Sequence, residues 1–487
     1  MATSVDRALA PESEHGLRAN VLSLFDSVVM AVAGSAPAYT IAASTASLFV
    51  AVGLAGPAAL LYCGIPMLGI AWAFSYLNRL ESNAGASYAW VGRVIHPVFG
   101  FIAGWSLVIS ATIFMVAGSL PAGSVTIALF SNSLANNTGL VTLIGSAWFA
   151  VMVVLVIMGV RATARAQWIM SGVEVALLLL FAVLAIIHGS THGHVAFSWS
   201  WFGFSHFNGL AGFAAGGLVA AFYYWGWDVS SNLNEEMKDS RRSAGLGGII
   251  GVVIVFALFE IFTIATNLSL SGKTISNNAG DVLAVLGQTV WPGLGGKLLV
   301  VAVMLSTVAT LETTLIQVTR TLFAMARDRT VPAAFGWIHP TRRTPWLATV
   351  VIAIVSLGLF IGSNYIGSLS TIMSDAIGAI GLQIAVYYGL AGLTVVIAYR
   401  KLLFSSVGNF LMMGVWPLLG AAFMFWILGE SIPSNGAVID WVGLGGLALG
   451  FIPMIVYWIK GSAYFRQRPT LGRTVPDELE PVADPVV

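Results

Sequence analysis

The sequence predicts an all-α integral membrane protein with twelve transmembrane helices, the first and sixth broken near their middles. Three observations carry this reading. The chain is 57% hydrophobic and only 9% charged, against about 25% charged in soluble domains, and apolar stretches of the roughly 20 residues that a bilayer crossing requires recur from end to end. The positive residues gather in every second connection between those stretches. Two of the stretches, with interruptions about 190 residues apart, are broken by Gly or Pro at matching places, which implies a five-plus-five inverted repeat followed by two extra helices.

Taken in order, residues 1–20 (MATSVDRALAPESEHGLRAN) are polar and lack the apolar core of a cleaved signal peptide, so they read as a cytosolic tail. Spans follow near 21–48, 55–78, 97–129, 138–160 and 166–188, making a first repeat over 21–208. Spans near 209–235, 244–268, 296–325, 346–363 and 368–398 make a second over 209–400. Two more, near 407–429 and 438–459, fill 401–460, and 461–487 is a second polar, cytosolic tail. Arg7 and Arg18 precede the first span, Arg79 and Arg93 follow the second, and Arg161 and Arg165 the fourth. Lys238, Arg241 and Arg242 follow the sixth; Arg320, Arg327, Arg329, Arg342 and Arg343 the eighth; Arg400 and Lys401 the tenth. With Lys460, Arg466, Arg468 and Arg473 at the end, only Lys273 and Lys297 of the 22 basic residues stand apart. The positive-inside rule then puts both termini in the cytosol of a cell in whose cytoplasmic (plasma) membrane the chain lies.

Several function classes are excluded. A net charge of +1 offers no basic surface for nucleic acid, and the single Cys63 permits neither an intrachain disulfide nor a cysteine metal site. WPGLGGKLL (291–299) is Gly-rich but is not a phosphate-binding loop. HGSTHGH (188–194) reads as a solvated loop before it reads as a metal site. No metal or organic cofactor is expected. Gly247-xxx-Gly251 and Gly446-xxx-Gly450 are small-residue packing motifs whose default meaning is close helix contact.

The breaks carry the chemistry. MAVAGSAPAYT (30–40) sets Gly34, Ser35, Ala36 and Pro37 inside an apolar run, and FYYWGWDVSSNLNEE (222–236) stops its aromatic run at Gly226. Paired discontinuous helices mark the central site of secondary transporters. Backbone N–H groups around Gly34, Ser35 and Ala36 would hold a substrate carboxylate, should the substrate have one. Tyr224, Trp225 and Trp227 offer an aromatic wall able to receive a cation, with plain packing as the alternative. Asp228 stands where the second half-helix restarts, as an N-cap, with substrate contact a reading that can hold in addition.

Three segments resemble the amino acid–polyamine–organocation transporters. YYWGWDVSSNLNEE (223–236) resembles that family's sixth helix. SNAGASYAWVGRVIHPVFGFIAGW (82–105) resembles its inner loop and third helix, although Asn83 stands where Pro is usual. RTLFAMARDRTVPAAFGWIHPTRRTPW (320–346) resembles its loop between helices eight and nine. The resemblance covers roughly 20–460 and implies a leucine-transporter-type fold, with alternating access around a site between helices one and six.

Asp26, Glu174, Asp228, Glu260, Glu312 and Asp375 lie in or near the spans, while no Lys or Arg lies at a span's centre. A charge at mid-bilayer costs about 2.5–3.5 kcal/mol even on the lenient insertion scale, so these carboxylates require protons, a wet cavity or a cationic guest. Glu312, where the family more often has a small or amide residue, is either a protonated, hydrogen-bonded side chain, an ammonium anchor or a carrier of the coupled proton. Glu174 falls where some proton-coupled relatives have a lysine, at a position that sodium fills in others. It is a proton-coupling candidate, with a structural hydrogen bond as the alternative. Glu235 and Glu236 are candidates for an inner gate, with Arg79, Arg93 and Lys238 as possible partners, and Asp375 for an outer one; Glu260 has no assigned role.

The expected function is import of amino acids or small organic amines, including polyamines, driven by a proton gradient. Sodium symport or substrate exchange is the nearest alternative, and a non-transporting sensor or membrane scaffold comes from another class. Partners are the small-molecule substrate and the lipid bilayer.

Overall fold

A computed structural model describes residues 16–278, 280–363, 365 and 367–469. Most of both predicted tails, with Arg7 and Arg473, lies outside the described residues. In lipid every backbone N–H and C=O must find a partner within the chain, which leaves helices as the economical solution for apolar runs. Among the described residues the regular structure is helical, apart from one isolated bridge between Leu22 and Met237.

The first apolar run divides into α1 (Leu24–Ser35) and α2 (Pro37–Val52), and a short turn leads to α3 (Gly56–Leu80). α4 (Ser87–Val94), α5 (Pro97–Ala128), α6 (Thr138–Met158) and α7 (Val160–His192) follow. The second interrupted run gives α8 (Gly209–Tyr223), α9 (Val229–Asn232) and a single tight turn at 234–236. Next come α10 (Ser240–Ser269), two short connecting helices, α11 (Gly272–Asn277) and α12 (Val282–Val290), and then α13 (Gly295–Arg327). α14 (Trp346–Ser363), α15 (Leu369–Ala398), α16 (Val407–Asn409), α17 (Trp416–Ser434), α18 (Ala437–Leu449), α19 (Phe451–Ile459) and α20 (Ala463–Arg466) complete the chain, α16 running into α17 through a wider π-helical turn. Ten helical stretches among the described residues are long and apolar enough to cross a membrane. The predicted helix ends shift in places. α7 begins at Val160, directly after a turn at Gly159 with φ +116°, so Arg161 and Arg165 sit in its first turns and not in a loop.

Asp26 is a helix-start residue. Its carboxylate accepts from the Ser23 amide at 2.7 Å and the Trp168 indole at 3.0 Å, closing a capping box at the N-terminus of α1, where a negative charge is favoured. Both small-residue motifs are used inside the chain. Gly247 and Gly251 pack on Ser27 and Ala31 of α1, while Gly446 and Gly450 admit Ile109 and Trp105 of α5, whose indole donates to the Gly446 carbonyl at 3.0 Å.

α13 is central and polar. Ser306, Thr307, Thr310, Glu312, Gln317, Arg320 and Thr321 along it are all buried, so its polar face points into the bundle, covered by the neighbouring helices. Residues 16–22, 81–88, 234–240, 328–344 and 462 meet at one end, which may be called the terminal end. The amides of Val21 and Leu22 donate to the Glu236 carbonyl, Arg18 to the Thr341 carbonyl, and Ser462 to the Asp328 carbonyl.

Candidate functional site

Both interrupted runs break where the sequence predicts. Ala36 takes a left-handed conformation (φ 48°, ψ 64°) between α1 and α2, and Pro37, which has no N–H to lose, opens α2. In the second run the helix stops at Tyr223, Gly226 adopts φ +94°, and the short α9 resumes at Val229. The two breaks meet at Gly34 and Gly226, where a Cβ on either would run into the carbonyl group of the other. A side chain of any size at these two places would push the broken helices apart.

At the first break, where the sequence suggests a seat for a substrate carboxylate, the amides are engaged within the chain. Gly34 and Ser35 lie within α1; the Ala36 N–H bonds the carbonyls of Val32 and Ala33. The Ala38 N–H donates to Oε1 of Glu174 at 2.9 Å, and the Tyr39 N–H to Oγ of Ser306 at 3.1 Å. Glu174 on α7 thus caps α2, as the structural alternative had it, while its Oε2 is buried without a hydrogen-bond partner. Thr310 of α13 donates to the Gly34 carbonyl at 2.9 Å and fixes the other lip of the break.

Asp228 does not cap α9, which corrects the first of its two readings. Its carboxylate is fully buried and turns toward α13 and α15. Gln317 donates to it at 2.8 Å, Tyr387 at 3.1 Å and Tyr388 at 2.9 Å. Tyr387 in turn accepts from the indole of Trp225 at 2.7 Å. Three neutral donors surround one buried carboxylate. That compensates part of the loss of water and leaves its charge uncancelled.

The predicted aromatic wall divides. Tyr224 donates to the Leu60 carbonyl at 3.0 Å and lies against Phe256 and Phe259, away from the breaks. Trp227 packs on Phe74 and Tyr388. Trp225 belongs to the line of rings that leads toward Tyr39, its centroid 5.3 Å from Phe114, which is 5.8 Å from Tyr39. Tyr39 lines a cavity of about 840 Å³ that opens at the end opposite the termini, bordered by Ser124, Asn132, Asp281, Gln288 and Lys297. A line of contacting side chains therefore joins the cavity wall at Tyr39, through Phe114 and Trp225, to Tyr387 and Asp228.

Glu312 faces α7. Its Oε2 accepts from Gln167 at 2.7 Å, and Gln167 also donates to the Ala309 carbonyl at 2.9 Å. Oε1 of Glu312, Oε1 of Gln167 and Oγ of Ser171 are buried without hydrogen-bond partners, as is Oε2 of Glu174. Glu312 and Glu174 thus border one polar seam between α7 and α13, on the side of α13 that does not hold Asp228. Glu260 lies on α10 with both carboxyl oxygens buried and unpartnered. Asp375 is half-buried, two residues along α15 from Met373, which lines the cavity.

The terminal end is closed by ion pairs with partners other than those expected. Arg320 donates from Nε and Nη2 to Glu236 at 3.1 Å, both side chains only 1% exposed. Arg327 grips both oxygens of Glu235 at 2.9 and 3.1 Å, and Glu235 also accepts from the Ala84 amide. Arg93 pairs instead with Glu81. Arg320, counted among the loop cations by sequence, is a buried residue of α13. Asn83, in the place of the family's usual Pro, uses its Oδ1 to accept from the Gly85 amide at 2.9 Å and from Arg327 at 3.2 Å.

Sequence reasoning missed Tyr387, Tyr388, Gln317, Gln167 and Arg320 as members of these networks. The tyrosine doublet in an apolar helix was the one visible signal, since a buried hydroxyl needs a partner.

Comparison with known proteins gives a concordant picture. The family model described as amino acid permease matches residues 22–459. The chain is 24% identical over 388 residues to the serine/threonine exchanger SteT of Bacillus subtilis, covering 77% of this chain and 82% of that one. It is 24% identical over 327 residues to the low-affinity putrescine importer PlaP of Escherichia coli K12, covering 62% and 66%. It is 26% identical over 326 residues to the methylthioribose transporter of Bacillus subtilis, covering 63% and 67%.

Proposed function

Because the chain belongs to the amino acid permease family, a family of transporters and not of enzymes, we propose that it is a secondary active transporter that imports amino acids or small organic amines by alternating access, driven by protons. The observation that carries this is the contact of two helix breaks at Gly34 and Gly226. The cavity reaches toward that contact from one end, and buried ion pairs bar the other. Such a site can pass a small molecule only by opening one end and closing the other.

In this reading the chain crosses the plasma membrane twelve times. The 57-residue stretch Leu24–Leu80 measures roughly 85 Å at about 1.5 Å per residue, more than two bilayer thicknesses of about 30 Å, so it supplies two crossings. α8 with α9 supplies the sixth, and the halves 21–208 and 209–400 are the inverted repeats. The terminal end, with its cations, faces the cytosol. Asp228, Trp225 and the ring chain receive the substrate. Glu235 and Glu236 with their arginines form the cytosolic gate, and Asp375 flanks the outer mouth. Glu174 and Glu312 are the candidates to carry the coupled proton: each is buried, and among the described residues each has one unpartnered oxygen and neither has a basic partner. Sodium is the alternative occupant, because the same unpartnered oxygens are hard ligands of the kind sodium accepts. Exchange is the other, as in the serine/threonine exchanger.

The test is flux. Purified protein in sealed vesicles is given labelled putrescine or serine with an inward proton gradient, an inward sodium gradient, or neither. Accumulation that needs the proton gradient and ignores sodium supports the reading. Accumulation that follows sodium moves the coupling to the alternative ion. Folded protein with no flux of any kind returns the chain to a sensor or scaffold.

A further inference from the structure

We infer that the substrate is an organic amine with no carboxylate beside its ammonium, because the protein's own Glu174 already fills the place where a broken-helix site would hold one. The inference rests on the transport reading and narrows its substrate class.

A helix leaves the amides of its first turn without partners inside the helix, and its positive end attracts anions. At α2 none of these donors is left. Ala36 is bound to α1, Pro37 has no N–H, Ala38 is held by Glu174, Tyr39 by Ser306, and the Thr40 amide reaches the Ala36 carbonyl at 2.8 Å. A substrate carboxylate arriving there would find every first-turn donor of α2 occupied, with the Glu174 side chain in possession of the Ala38 amide.

The surrounding groups are short of anion partners as well. Among the described residues no Lys or Arg bonds either break, and Arg320 and Arg327 of α13 are engaged by Glu236 and Glu235. Acceptors of the kind an ammonium takes stand open. Glu174, Glu312 and Gln167 each leave a buried acceptor oxygen without a hydrogen-bond partner, and Asp228 adds a carboxylate whose partners Gln317, Tyr387 and Tyr388 are neutral. An ammonium offers three donors and a positive charge. The rings of Tyr39, Phe114 and Trp225, a residue type that attracts cations, line up between the cavity and the Tyr387–Asp228 pair. An α-amino acid brings the same ammonium together with an anion for which the breaks offer no basic side chain and no first-turn amide of α2, only the neutral Trp227 indole and the Ser230 and Tyr39 hydroxyls.

Matched pairs that differ by one carboxylate isolate this claim: putrescine against ornithine, ethanolamine against serine, and isobutylamine against valine. Binding is read from the thermal unfolding midpoint of the purified protein at a series of concentrations, and flux from sealed vesicles of the same preparation. The expected result is that, in at least one pair, the amine stabilises the protein at a concentration about tenfold or more below its amino acid, and that no amino acid exceeds its amine. In Glu174→Ala, which uncovers the Ala38 amide, that ratio should narrow severalfold. An amino acid binding more tightly than its amine overturns the inference and leaves transport standing, as does silence from all six compounds beside flux of another solute. A ratio unchanged in folded Glu174→Ala overturns the role given to Glu174. Amine stabilisation without flux has the opposite meaning, sinking the transport reading and keeping the ligand class.

Discussion

Glu174 holds the Ala38 amide and Glu312 the Gln167 side chain, and substitution separates the roles proposed for them. Glutamine keeps shape and hydrogen-bonding capacity but cannot exchange a proton. If either residue carries the coupled proton, its Gln variant should still bind substrate and still exchange it across the membrane, while accumulation driven by a pH gradient disappears. If Glu312 instead anchors the ammonium, Glu312→Gln should weaken binding about 10- to 150-fold. Paired measurement of affinity and gradient-driven uptake distinguishes these outcomes, and two variants that bind and accumulate like the parent would remove both proposals. Around Asp228, Tyr388→Phe deletes one of three donors to a buried carboxylate and should cost about 1–3 kcal/mol of stability, read as a lower unfolding midpoint. The carboxylates themselves were legible in the sequence, because a charge in an apolar run stands out. Their partners were not. Tyr387 and Tyr388 lie 159 and 160 positions from Asp228, and nothing in a sequence says which faces of two distant helices will meet.

At the scale of elements the breaks were legible because Gly, Ser and Pro interrupt an apolar pattern locally. That they touch each other was not. Gly34 and Gly226 each leave no space for a Cβ against the other's carbonyl, so Gly34→Ala should impair uptake severely while the protein still inserts, as measured by membrane yield against flux. Gly34→Leu should go further and lower the yield. The closed end rests on another element-level contact, the buried pair between Arg320 of α13 and Glu236 after α9. Removing one partner strands a charge, so Arg320→Met or Glu236→Gln alone should each cost about 3–5 kcal/mol. The double variant should cost clearly less than the sum, and additive losses in a thermal-unfolding cycle would deny the pair its coupling. Sequence counting misassigned Arg320 to a loop because the apolar run of α13 fades gradually toward its end, and composition gives no sharp boundary there.

For the whole molecule, the helical class and the family followed from composition, from the recurrence of apolar runs and from three motif segments. The state of the molecule did not follow from any of them: an open cavity at one end and locked ion pairs at the other are properties of packing. In the transport cycle proposed for the chain, the two breaks form one site that is reached from alternating ends. Cys63 is the only cysteine of the chain and is fully buried, so single introduced cysteines can report accessibility with little background. Ser124 lines the cavity, and Thr321 lies buried on α13 near the closed end, accepting from Asn232 at 3.1 Å. The most direct measurement is labelling of Ser124→Cys and Thr321→Cys by a membrane-impermeant thiol reagent applied from each side of sealed vesicles, with and without putrescine and a proton gradient. Ser124→Cys should react from the cavity side, and Thr321→Cys should hardly react at rest. During turnover the first should slow and the second become reactive from the terminal side only. Reactivity at both positions that ignores substrate and gradient, in protein shown to be folded, would contradict alternating access.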